Sequence, residues 1–169
     1  MDTSSDMIIC PGCSAIVAFS TGPTHQHMDA APACWATFTR VLSTAFDSAP
    51  SPDVRQLVLD AYAVQHPGPE SAQRAREMLG HLIGLHCALD HNMSAREIVQ
   101  MIRECRKIAG TISWMAPPAQ RASLTIHDVI DAQTEADHHQ RVRIWATSVW
   151  KSWDEHHETI AQIVGRVMN

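Results

Sequence analysis

From residue 34 onward, apolar positions recur at steps of three and four, the spacing that lines one face of an α-helix. Pro32 suits a first helical turn and is followed by a helical pattern over 34–46. Ser51 before Pro52 pairs a capping residue with proline at the first helical position. It predicts a helix to about Gln65 with Val54, Leu57, Val58, Ala61 and Val64 as its apolar stripe. His66-Pro67-Gly68-Pro69 ends it. Ser71 opens a third helix, apolar at Met78, Leu79, Leu82, Ile83 and Leu89 and ending near Asn92. Ser94 and Glu97 form a capping box for a fourth, with Gly110 as its stop. Residues 111–124, holding Trp114 and Pro117-Pro118, read as a loop, and 125–132 as a short helix. The final stripe is His138, Val142, Trp145, Val149, Trp153, His156, Ile160, Ile163 and Val167. It predicts one helix over 135–167, long enough that a kink is expected.

Residues 1–31 break this pattern with Pro11, Gly12, Gly22 and Pro23, and suggest an irregular segment with a short hairpin at 15–19. Strand signals are otherwise nearly absent. The expected fold is all-α: a bundle of about five helices with an irregular, zinc-bound N-terminal segment. The length of 169 residues fits one domain over 1–169, with 1–33 as the metal-binding segment and 34–169 as the bundle.

Composition narrows the function classes. A chain with 45% hydrophobic and 18% charged residues is neither disordered nor a membrane protein by class. A net charge of -5 opposes the basic face that a nucleic acid requires. The acidic start has no charged-then-apolar leader pattern. The most apolar stretch, 79–89, contains His81 and His86 and is too short to span a bilayer. The expectation is a cytoplasmic protein acting on a small molecule, without nucleic-acid or membrane partners.

Five cysteines, two of them in Cys10-Pro11-Gly12-Cys13, read in a reducing compartment as metal or redox chemistry. Zinc takes four soft or borderline ligands in a tetrahedron, and a Cys-x-x-Cys pair fills adjacent corners. His25, His27 and Cys34 are the nearby candidates for the others, and a set of Cys10, Cys13, His25 and Cys34 suits a structural zinc. A dithiol redox pair would normally follow a strand–helix pattern that is missing here. Cys34, in the first turn of a helix, is alternatively a nucleophilic thiol.

Eleven histidines are the second unusual count. A lone histidine on a buried face is most often a hydrogen-bonded core residue. His138 and His156 share the last stripe but lie five turns, about 27 Å, apart on an unbroken helix. His156 is the stronger candidate because Trp150 and Trp153 are placed to wall a pocket around it. His81, His86 and His91 step by five, about 140° each, so they do not line one face. His86 lies nearer the apolar centre, and His81 sits at its edge beside Gly84, where another helix or a ligand can approach. Asp60, Tyr62, Gln65 and His66 bring polar groups to the second helix; Asp60 falls off the stripe, as a solvated acid would. His66 equally suits a helix C-terminus as a cation or a ligand role. The five tryptophans read mainly as core. Zincin, dinucleotide-binding, P-loop and serine-hydrolase signatures are missing.

The segments CPGC, GPTH, MDAAPACW, DAYAVQHPG, HLIGL, WMAPP, LTIHDV and WATSVWKSWDEHH resemble an uncharacterised bacterial family, a domain of unknown function, from Cys10 to about His157. The resemblance implies matching positions at Cys10, Cys13, His25, Cys34, Asp60, Tyr62, Gln65, His66, His81, Trp145, Trp150, Trp153 and the His156-His157 pair. His27 and His86 depart from it. It therefore favours His25 over His27 as zinc ligand, and His81 over His86, and it implies no activity.

Two functions fit these residues. The first is a metal-dependent enzyme in which Asp60, His66, His81 and His156, with Gln65, converge in a pocket between helices as acid–base groups. The second is a non-enzymatic, zinc-stabilised binding or interaction protein.

Overall fold

The computed structural model describes residues 6–46 and 48–169. Residues 1–5 of the acidic start, and Asp47 in the connection before Ser51, lie outside them. The described chain opens on an antiparallel hairpin of β1 (Met7–Ile9) and β2 (Ile16–Ala18), with Ile8 opposite Val17. The 15–19 expectation thus captured one strand of a hairpin whose turn carries the Cys-x-x-Cys pair. Six helices follow: α1 (Pro32–Leu42), α2 (Pro52–Gln65), α3 (Ala72–Asp90), α4 (Ala95–Ile108), α5 (Glu135–Ser152) and α6 (His157–Met168). The fold is mostly helical.

Local chemistry sets the helix ends. Ser71 Oγ accepts from the Arg74 N–H, Ser94 and Glu97 form the reciprocal capping box, and Thr134 caps α5 through the Asp137 N–H. α1 stops at Leu42, short of residue 46, because the Ser43 and Thr44 hydroxyls both donate to the Arg40 carbonyl and compete with the next helical turn. The short helix over 125–132 contracts to a 3-10 turn at Ile126–Asp128.

The expected helix over 135–167 is two helices, which makes six where about five were counted. α5 ends at Ser152 with Trp153 as its C-cap, a 3-10 turn spans Asp154–His156, and α6 starts at His157. The break frees the Trp150 carbonyl, which accepts from the Trp153 N–H at 3.0 Å and from His157 Nε2–H at 2.9 Å. The His157 ring stacks on Trp150 with centroids 3.8 Å apart.

α2 is the central helix, lying against α1, α3, α4 and α5. It is therefore buried on more than its stripe, and Asp60, Gln65 and His66 are interior. Each has partners, as buried polar groups require. Gln65 accepts from Trp145 Nε1–H at 3.1 Å and donates to the Leu124 carbonyl at 2.8 Å, which ties α2 to α5 and to the 111–124 loop. Gly84 lets α3 close onto α2: a Cβ there would lie 2.1 Å from an Asp60 carboxylate oxygen. Among the described residues, no helix is long and apolar enough to cross a membrane.

Candidate metal centre

The hairpin turn brings Cys10 and Cys13 to one side. The Cys10 N–H donates to the Ala15 carbonyl at 2.8 Å, the Ser14 N–H donates to the Cys10 carbonyl at 2.9 Å, and Ser14 takes a left-handed φ of 65°. Cys34 comes from the first turn of α1, and His66 from the residue that ends α2. All four are buried, and their donor atoms lie within 4.8 Å of one another. Cys13 Sγ is 3.8 Å from Cys34 Sγ, and His66 Nε2 is 3.5 Å from both Cys10 Sγ and Cys34 Sγ. A tetrahedron with bonds of about 2.3 Å to sulfur and about 2.0 Å to nitrogen has edges of about 3.8 Å and about 3.5 Å. The cluster therefore has the dimensions of a four-coordinate metal site. A disulfide needs sulfurs about 2.05 Å apart, and all five cysteines are free.

The fourth donor is His66, not His25. His25 Nδ1 accepts from the His27 N–H at 3.2 Å, and its ring packs on Trp35 at 5.6 Å. Sequence proximity to Cys13 favoured His25, but the fold docks the hairpin turn against the end of α2. A Cβ on Gly12 would sit 2.3 Å from His66 Cδ2 and 2.4 Å from the Asp29 carbonyl oxygen, so glycine is what lets the turn lie on the imidazole. Gly12→Ala is expected to weaken metal affinity by about tenfold, because the backbone oxygen of Asp29 cannot rotate away and the ring must shift off its corner. Competition with a chromophoric chelator measures this, and an unchanged affinity would contradict the packing.

Tyr62 organises the ligand. Its carbonyl accepts from His66 Nδ1–H at 2.9 Å, which fixes the tautomer and leaves the Nε2 lone pair for the cluster. Its ring stacks on His66 with centroids 4.0 Å apart, and its hydroxyl donates to Cys34 Sγ at 3.7 Å. The Ala31 N–H points to Cys10 Sγ at 3.4 Å. The only trace of this in the sequence is the i, i+4 spacing of Tyr62 and His66. Hydrogen bonds from Cys13 and Cys34 hold the Cys10 thiol far below its ordinary range. The Cys13 thiol is pushed up to about 11, chiefly through its hydrogen bond to Cys10, and Cys34 is pushed higher by the same kind of contact and by burial. Without a cation only one of the three buried cysteines ionises readily; all three could be thiolates only around a cation, so this donor set is suited to a divalent metal.

Of the other expected site residues, Asp60 and His81 meet as a pair, but they do not form one site with His66 and His156. His66 is committed at both ring nitrogens, to the cluster and to Tyr62, which leaves it no acid–base role. Asp60 is 1% exposed, not solvated; His81 Nδ1–H donates to its Oδ1 at 2.9 Å, and Gln56 Nε2 reaches both of its oxygens at 3.0 Å. Burial pushes the Asp60 carboxyl above its ordinary range against the pull of His81. His81→Ala leaves that carboxyl without its main partner and is expected to cost about 3 kcal/mol in urea unfolding. A loss below about 1 kcal/mol would show the contact to be of the weak surface kind.

His156 lies elsewhere, donating from Nε2 to the Ala116 carbonyl at 2.9 Å. Together with Trp153 it lines an open groove of about 870 Å³ between the 118–124 stretch and α5. Arg121, Ser123, Arg143, Ser148 and Lys151 give the groove polar and cationic groups, and Asp154 and Glu155 add two carboxylates to its lining. Trp150 is not one of its walls; it is turned to His157 and Asp90. A family model described as "Family of unknown function (DUF5946)" matches residues 8–154. No curated protein and no solved structure matches the chain.

Proposed function

The chain belongs to this family of unknown function, DUF5946, and we propose that it is a zinc-stabilised helical protein whose metal is structural and whose groove beside α5 binds a small molecule. The observation that carries this reading is the closure of the cluster: four buried protein donors at tetrahedral spacing leave no corner for water or substrate. Three sulfurs and one imidazole suit zinc above the other divalent ions of a cell. Thiolate ligands also need reducing surroundings, which supports a cytoplasmic setting.

The metal would serve the groove at a distance. Arg121, on the groove wall, donates from Nη1 to the Gly12 carbonyl at 2.6 Å, so the wall is braced on the metal-bound turn. Three cations, Arg121, Arg143 and Lys151, outnumber Asp154 and Glu155 in the lining, and with the serine hydroxyls they favour a small anionic or hydroxyl-rich ligand. An enzymatic reading keeps one supporting observation, His156 at the groove with its Nε2–H already donated. In that case the acid–base group is His156, and the metal takes no part in the chemistry.

Metal content of protein purified without chelator tests the first claim: one zinc per chain, lost in Cys10→Ser, is expected. Cobalt substitution tests closure. The visible bands of a tetrahedral cobalt site should not respond to azide or cyanide. A spectrum that shifts with either anion would reveal an open position and return catalysis to the metal.

A further inference from the structure

A second group of nitrogen donors gathers where α3 ends, away from the cysteine cluster. On a regular helix, His86 and His91 diverge by about 140°. The helix, however, stops between them. His91 is its C-cap, Asn92 adopts a left-handed φ of 54°, and the Met93 N–H closes on the Cys87 carbonyl at 3.0 Å. This exit swings the exposed His91 back onto His86. The ring centroids are 4.7 Å apart with planes at 84°, and the two Nε2 atoms face each other at 3.1 Å.

The support behind His86 is built in. Asp90 Oδ2 lies 2.8 Å from His86 Nδ1 and accepts from Trp150 Nε1–H at 3.1 Å. Indole nitrogen is only a donor, so the carboxylate oxygen is an acceptor on both sides. The His86 proton is thereby held on Nδ1, and its Nε2 lone pair faces His91.

We propose that His86 and His91 chelate a divalent transition-metal ion through their Nε2 atoms, with Asp90 as the positioning residue for His86. Two imidazole ligands at bonds of about 2.0 to 2.1 Å stand about 2.9 Å apart at a right angle and about 3.4 Å apart in a tetrahedron. The observed 3.1 Å falls between these limits. A carboxylate holding the far nitrogen of a ligating histidine is the usual support for such an ion. Without the ion, His91 Nε2–H donates to His86 Nε2; with it, His91 carries its proton on Nδ1 and the ion takes the shared position. His86 is buried and His91 exposed, so the remaining coordination positions open to solvent. All-nitrogen donation selects copper, nickel or zinc over magnesium or calcium.

The experiment uses full-length protein whose cysteine cluster has first been shown to carry one zinc, so failure here is separate from failure of the structural-zinc reading. Nickel is titrated by calorimetry. One nickel equivalent is expected in the wild type, at least tenfold weaker binding in His91→Gln, and no change in His25→Gln/His27→Gln. Asp90→Asn should weaken binding about tenfold while keeping the wild-type nickel absorption bands, because both ligands remain. His91 is exposed, so its variant should melt like the wild type, which a circular dichroism scan checks. Unchanged nickel affinity in His91→Gln, or no uptake by the wild type at millimolar nickel, would overturn the proposal.

Discussion

Removing the metal with a strong chelator, or replacing Cys34 with serine, is expected to lower stability by more than about 5 kcal/mol and to release the N-terminal segment from the bundle. Structural zinc contributes an apparent binding free energy of about 10–16 kcal/mol, and a site absent from the unfolded chain turns that into folding free energy. A whole domain is stable by only about 5–15 kcal/mol. Apart from the cluster, the segment before α1 is held mainly by Val17 and the partly buried Ile8 on the core and by the Arg121 bond to the Gly12 carbonyl. β1 and β2 are three residues each, and Met7, Ile9, Ile16 and Phe19 stay exposed. A two-stranded hairpin of that size is marginal by itself. Loss of Cys34 also leaves two thiols and an imidazole buried without their cation. Urea unfolding with and without chelator gives the free energy. Amide exchange should show the largest loss of protection over residues 7–18 and around His66. If the melt of the chelated protein matches that of the wild type, the cluster contributes little and the structural reading fails.

Trp145→Ala is expected to cost about 5 kcal/mol. Trp145 is fully buried where α5 meets α2, and truncating a core aromatic costs about 3–5 kcal/mol through lost burial and the cavity left behind. The rest comes from Gln65, whose Oε1 loses the indole N–H and is left buried without a donor, a penalty of about 1–3 kcal/mol. Trp145→Phe separates the two effects, because it keeps most of the volume and loses the hydrogen bond. It should cost about 2 kcal/mol. The same Gln65 holds the Leu124 carbonyl, so the alanine variant should also loosen the groove wall. Chemical denaturation of both variants tests this, and equal losses in the two would assign the effect to the hydrogen bond alone.

The caps show what was legible along the chain. Ser71, Ser94 with Glu97, and the proline after Ser51 mark helix starts because their hydrogen bonds and dihedral limits act within one turn. The Cys-x-x-Cys pair was readable for the same reason: its turn is made by the residues between the sulfurs. The break at Trp153 was less so. A kink was expected, but its place depends on His157 capturing the Trp150 carbonyl and on α6 turning to pack on α3 and α4. Where the apolar stripe misled, it assumed a single buried face. Asp60 lies off the stripe of α2, yet α2 has neighbours on several sides, so the off-stripe position is interior.

The amino-acid sequence by itself determined the helical class, the starts of α1 to α5, and three of the four side chains of the candidate metal cluster, Cys10, Cys13 and Cys34. Periodicity, capping and turn chemistry are short-range, and each is complete within a few residues. Only the tertiary structure decided that His66 and not His25 completes the tetrahedron, that His66, His81 and His156 stand apart, and that His91 folds back onto His86. Cys10 and His66 are separated by 56 positions, and the Gly12 turn meets the end of α2 only after the helices have packed. Such a contact is set by how apolar faces far apart in sequence bury one another, and no local pattern in the chain records it.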